Sequence, residues 1–335
     1  MSRRPIDIMR EEGFSAKIGN DDEGELKDNI VIGSKLYLIK ERAIYAFNLA
    51  DDIDPDRTNS QVPNISQKAY DVGVNSEIVG RVLLQAKYLF EKGPIGSGFD
   101  RNEILSVVIS VFDELCSLLK IMQALQQDQQ MALDGVKTSG EQIRFFAVPS
   151  VMDAAGRAKN FIQRAEHSVQ HLFRLCKICL GLPNEKNGWF DGVRRRLECH
   201  SDLQRYDAGR VAEIVSYCKF IRNCRHTVEH ARQEQCIYVK DFFLDKKGSL
   251  NLPSIEVVHS DTPEPPIPLI DFMIGNIESL ISVSEELMAI LAFCIRDSGW
   301  KDKIGVASMP VEKRRSPDVK FYFVINAGGD LHPIG

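Results

Sequence analysis

The sequence predicts a mainly α-helical protein, a helical bundle with one inserted β-hairpin, a helical N-terminal region and a short C-terminal β element. Three observations carry that expectation. Long stretches over residues 101–135, 151–180, 207–230 and 269–295 repeat apolar residues at three- and four-residue spacing, the period of a helix with one buried face. The period then drops to two in CIYVKDFFLDKKGSLNLPSIEVVHSD, which reads as a hairpin over about 236–259 turning at Lys246-Lys247-Gly248. The last stretch, VKFYFVINAGGDLHPIG, reads as a strand with a Gly-Gly turn.

Taken in order, residues 1–29 form a flexible lead-in ending in the polar run GNDDEGELKDN. Residues 30–148 form the helical N-terminal region. Within it, Ile30 to Ala50 mixes strand or turn and enters a helix through KERAIYAFNLA, and DDIDPDRTNSQVPN is a loop by its Asp, Pro and Asn content. Asn75 or Ser76 caps a helix that Gly93-Pro94 stops. Asp100 and Glu103 make an acidic capping box for a helix reaching Gly135, roughly 50 Å long at helical rise. Residues 149–300 form the bundle. Its first helix ends at Gly181 and Pro183, a short one spans about Gly192 to Cys199, and another begins near Asp207. TPEPPIPLI is a stiff extended connector between the hairpin and the last apolar helix. Residues 301–335 form the C-terminal β element.

The bounds on function are broad. The chain has 335 residues and a net charge of −5, with 44% hydrophobic and 27% charged residues. Any nucleic-acid site is therefore a local patch. No apolar run reaches the length of about 20 residues that a bilayer requires, and MSRRPIDIMREEGF lacks the apolar core of a secretory signal. Eight cysteines lie unevenly between Cys116 and Cys294, too sparse for a disulfide scaffold, so a cytoplasmic setting is expected.

FIRNCRHTVEHARQEQ, residues 220–235, carries the chemistry. Val211, Ile214, Cys218, Ile221, Arg225 and Val228 make one stripe, so Arg225 stands where apolar residues are expected. A buried guanidinium needs a partner. Arg222, His226 and His230 make a second line at four-residue spacing. Arg194, Arg195, Arg196, Lys219, Arg222 and Arg232 gather cations nearby, the footprint of a phosphate partner, although Glu198, Asp202, Asp207 and Glu213 are interleaved as on any solvated face.

Arg225-His226-Thr227-Val228-Glu229-His230 resembles the R-x4-H signature of HEPN domains, the higher eukaryotes and prokaryotes nucleotide-binding family, with His226 in the polar position after the Arg. The resemblance extends over roughly residues 150–300 and implies a metal-independent endoribonuclease or RNA-binding protein, acting in defence, as a toxin, or in stress response. It implies His230 as general acid or base, Arg225 as phosphate clamp and His226 as a supporting group. Imidazole exchanges protons near pH 7, and a guanidinium offers a planar fork to phosphate. Arg194, Arg195, Arg196, Lys219, Arg222 and Arg232 would then hold single-stranded RNA. A homodimer and an antitoxin or other regulatory partner are also implied, with no cofactor, metal or membrane. Arg232 stands where one branch of the family has a modified Tyr, so that regulation is not implied. The alternative is a non-catalytic helical interaction module with a structural Arg/His motif.

Other motifs are weaker. Cys176-x-x-Cys179 with Cys199-His200 lacks a second metal-binding pair, and the helical position of Cys176 and Cys179 fits core thiols. HSVQH at His167–His171 lacks the Glu of a zincin, Asp52-Ile-Asp54-Pro-Asp56 lacks the Gly and Glu of a calcium loop, and Gly93–Gly98 lacks the Lys of a phosphate loop.

Overall fold

The computed structural model describes residues 4–12, 17–136, 146–182, 189–200, 208–301, 303–327 and 330–334. The expected mainly α fold with a single hairpin is corrected: the structure is 51% helical and 21% strand, with four separate sheets among the described residues, a mixed α/β fold. The chain divides into two compact units, Met1–Ser106 with Asp297–Gly335, and Val107–Arg296.

In the first unit a short helix α1 (Pro5–Glu11) precedes four antiparallel strands, β1 (Leu26–Ile32), β2 (Lys35–Lys40), β3 (Ile44–Asn48) and β4 (Ile65–Tyr70). This sheet occupies the first part of the expected helical N-terminal region, whose later part, from residue 77 to Asp134, is helical as expected apart from the connection over 92–100. The β1–β2 turn closes between Ile32 and Lys35 and needs a left-handed residue, which Gly33 supplies at φ 64°. Ile30, Ile32, Leu38, Ile39, Ile44 and Phe47 are buried, and Val31 between two of them is exposed, the two-residue alternation of a sheet with one covered face. KERAIYAFNLA is therefore strand through Ile44–Asn48, where β-branched and aromatic side chains fit the pleat, and only Ala50–Ile53 is helical, a single turn, α2.

Two π-helical stretches follow, Val79–Leu84 and Lys87–Glu91. Gln85, fully buried between them, donates from Nε2 to the Phe321 carbonyl at 2.7 Å and accepts from the Lys320 and Phe321 amides at 3.0 and 2.9 Å. Arg101 Nη1 donates to the carbonyls of Phe90, Glu91 and Gly93, which satisfies the end of that helical segment.

The long helix α3 (Arg101–Asp134) is as expected, and Asp100 accepts from the Asn102 and Glu103 amides at its start. The division between the units falls after Ser106, inside this helix. In the second unit α4 (Ala154–Leu180) begins at Asp153, whose carboxylate accepts from Gly156 N–H, and ends at Gly181. Pro183, expected to help stop it, lies outside the described residues, as does Asp207. Helices α5 (Trp189–Glu198) and α6 (Ala208–Glu229) follow.

The expected single hairpin is two small sheets. Strands β5 (Cys236–Lys240) and β8 (Ser254–Val258) pair antiparallel, and β6 (Phe243–Leu244) with β7 (Leu250–Asn251) forms the tip, where Gly248 turns at φ 81°. The supposed extended connector is a strand, β9 (Glu264–Pro268), added to the free edge of β8. Pro265, Pro266 and Pro268 are tolerated there because an edge strand leaves one row of N–H groups unused. The apolar helix α7 (Leu269–Cys294) packs on α4, with Phe161 and Phe272 rings 6.3 Å apart, and Tyr217 of α6 donates to the Asn276 carbonyl at 2.9 Å.

The chain returns to the first unit as strands β10 (Ile304–Ser308), β11 (Phe321–Ala327) and β12 (Asp330–Ile334), an antiparallel sheet. The expected Gly-Gly turn lies outside the described residues. Among the described residues no helix is long and apolar enough to cross a membrane.

Candidate functional site

The C-terminal turns of α6 gather the motif. Val211, Ile214, Cys218 and Ile221 are buried, so the stripe ahead of Arg225 does face the core. Arg225 continues it at the rim, 32% exposed. Its Nε lies 3.7 Å from Oε2 of Glu166 on α4, and its Nη2 lies 2.9 Å from Glu229 one turn on. Glu166 is nearly sealed, its side chain 4% exposed. Its Oε1 accepts from Gln170 Nε2 at 2.6 Å, while Oε2 has no hydrogen-bond donor and faces only the guanidinium charge. A buried carboxylate in that position needs a cation nearby.

His226 and His230 leave the helix on its outer side. Their rings stand edge to face with centroids 5.9 Å apart. His226 is half-buried and His230 exposed, just past the last helical residue. Burial, together with the charges of Arg222, His230 and Arg225, holds His226 below the usual imidazole pKa, against the opposing pull of Glu229. Its neutral form is thereby favoured at pH 7.

The expected RNA-binding cations separate into two groups. Lys219 is paired with Asp191 at 2.7 Å, and Arg194 with Glu198 at 2.7 Å. Arg195, Arg196, Arg222 and Arg232 are exposed and make no ion pair among the described residues. Arg222 instead lies over the Trp189 ring, its guanidinium carbon 4.6 Å from the centroid.

Three participants escape a sequence reading. Asn223 stands three and seven residues before the two histidines, on the same helical stripe, and donates to Thr262 Oγ1 at 3.2 Å. Thr262 lies 3.4 Å from His259 Nδ1, which accepts from the Asp261 amide at 3.1 Å, so a third histidine is tied to this helix end. Trp189 is the other. The stripe spacing could have flagged Asn223, whereas His259 and Trp189 arrive through tertiary packing alone.

The remaining motifs lie elsewhere. Cys176 and Cys179 are buried free thiols, and burial pushes both upward in pKa. Asp54 accepts from the Thr58 and Asn59 amides and faces Arg10, as a polar turn would. His167 approaches Glu114 at 3.6 Å. In the first unit a cavity of about 580 Å³ is lined by Met9, Arg10, Leu49, Asp51, Val62 and Asn64 among others, with no histidine for proton transfer.

No family model, curated protein or solved structure matches the chain. The chemistry of the site therefore rests on its own geometry.

Proposed function

We propose that the end of α6 binds single-stranded RNA and cleaves it without a metal ion, the chemistry implied by the resemblance of Arg225–His230 to the HEPN signature. The observation that carries this reading is the edge-to-face pair of His226 and His230, ring centroids 5.9 Å apart, one helical turn after Arg222, which makes no ion pair among the described residues. Cleavage by the RNA's own 2′-OH needs one group to take a proton and another to give one. His226, favoured neutral, takes the 2′-OH proton as the O2′–P bond forms. His230 donates to the departing 5′-oxygen as the P–O5′ bond breaks. The products are a 2′,3′-cyclic phosphate and a 5′-OH. Arg225, one-third exposed at the rim, serves as the phosphate clamp. Arg195, Arg196 and Arg232 supply further positive charge for the strand.

A homodimer and a regulatory partner belong to this proposal on the resemblance, and a cytoplasmic setting on the sparse, uneven cysteines. One observation favours a second reading. Arg225 is already held by Glu166 and Glu229, the arrangement of a structural ion pair in a non-catalytic interaction module. Incubation of the protein with single-stranded RNA in EDTA, followed by analysis of the product ends, separates the two. The first reading expects cyclic phosphate ends, and the second expects intact RNA.

A further inference from the structure

The most unusual cation at this site is Arg222. It is exposed and makes no ion pair among the described residues, yet its guanidinium carbon stands over an indole, 4.6 Å from the centroid. The indole is itself fixed. Trp189 stands edge-on to Phe190, centroids 4.8 Å apart at 86°, and Phe190 is fully buried and lies 5.6 Å from Phe173. Asp191, two residues after Trp189 on α5, is paired with Lys219 at 2.7 Å. Arg222 also precedes His226 by one helical turn, which sets the two side chains side by side.

A phosphate-binding arginine needs only its edge N–H groups, and an aromatic ring beneath it adds nothing to that contact. A ring beneath the guanidinium does fix its plane. One face is then covered by the indole, and the other is open to a second flat group. Unpaired bases of RNA stack on guanidinium planes as they do on aromatic rings.

We propose that Arg222, its guanidinium carbon standing over the Trp189 ring, is the seat of an unpaired nucleobase adjoining the phosphate handled by His226 and His230. This rests on the RNA reading above and deepens it: the substrate must carry a splayed base beside the scissile bond, so a duplex is excluded. Arg222 acts here through its plane rather than through its charge alone. A lysine in its place keeps the charge and loses the seat.

The protein contains two tryptophans, Trp189 and Trp300, so Trp300→Phe leaves Trp189 as the sole indole reporter. In a Trp300→Phe, His230→Ala protein, whose turnover is slowed by about 10²–10⁴-fold, an end-labelled oligouridylate and its abasic counterpart of equal length are titrated at low salt. Indole fluorescence and label anisotropy are read together. The proposal expects the intact strand to perturb Trp189 fluorescence and to bind about ten-fold more tightly than the abasic strand, in the range of base stacking. Adding Arg222→Lys should erase that difference while the circular dichroism spectrum stays the same. Equal binding of both strands with no change at Trp189 overturns the base seat and leaves the RNA reading standing. No binding of either strand overturns the RNA reading, and the seat with it.

Discussion

Arg225 Nε and Glu166 Oε2 lie 3.7 Å apart, and this pair ties the histidine-bearing end of α6 to the middle of α4. The carboxylate is nearly sealed and its Oε2 has no hydrogen-bond donor, so its charge depends on the guanidinium. The arginine is only partly covered, so solvent screens its side of the pair.

Arg225→Ala therefore strands a buried carboxylate. We expect a loss of about 3 kcal/mol in urea melts, the lower end for breaking a buried pair because Arg225 is one-third exposed. Glu166→Gln in the same protein should restore much of it, since a neutral amide does not need the cation. A double variant no more stable than Arg225→Ala would show that the pair is not what holds the helix end.

His226 lies below the usual imidazole pKa in the folded protein, through burial first and the charge of Arg222 next. Arg222→Met should raise that value, read from the imidazole proton shifts in an NMR titration. The sign for stability follows. Above the unfolded value of about 6.5 both states are neutral at this site. As pH falls through that value the unfolded chain takes up the proton first, so the contribution of His226 to stability declines toward its lower folded value. An unchanged or lowered His226 pKa in Arg222→Met would contradict the assigned cause.

Gln85 replaces a missing backbone partner at the start of β11. Its amide serves three main-chain groups at 2.7 to 3.0 Å with no exposure to solvent. Gln85→Leu fills the same space and leaves those groups unpaired, with an expected cost of about 3 kcal/mol in a thermal or urea melt. A change under about 0.5 kcal/mol, the size of a neutral surface substitution, would mean that water or a backbone shift takes over.

The long helices were legible because each repeats its apolar period over many turns and carries a start or stop signal, as at Asp100 and Gly181. The first sheet was legible only in part: strand or turn was expected from Ile30, but not four paired strands. In β2, Leu38, Ile39 and Lys40 are buried in succession, which breaks the alternation that marks a strand. Lys40 looks like a surface residue in sequence. It is buried because its amine donates to the Ile18 and Asn20 carbonyls and meets Glu23. The prolines of β9 read as a connector because only pairing to β8 makes them an edge strand. At the site, the odd place of Arg225 on an apolar stripe already implied a carboxylate partner. Which carboxylate, and the arrival of Trp189 and His259, depended on how α4, α5 and the β8–β9 turn pack.

The measurement that bears most directly on the proposed chemistry compares wild type with His230→Ala on single-stranded RNA in EDTA, with a melt of each protein alongside. His230 is exposed, so its loss should change stability by no more than about 0.5 kcal/mol. The account predicts cyclic phosphate products from the wild type and a rate lower by about 10²–10⁴-fold in the variant, the size of a lost proton transfer. Wild-type cleavage by a well-folded His230→Ala protein, or no cleavage by the wild type, would contradict it.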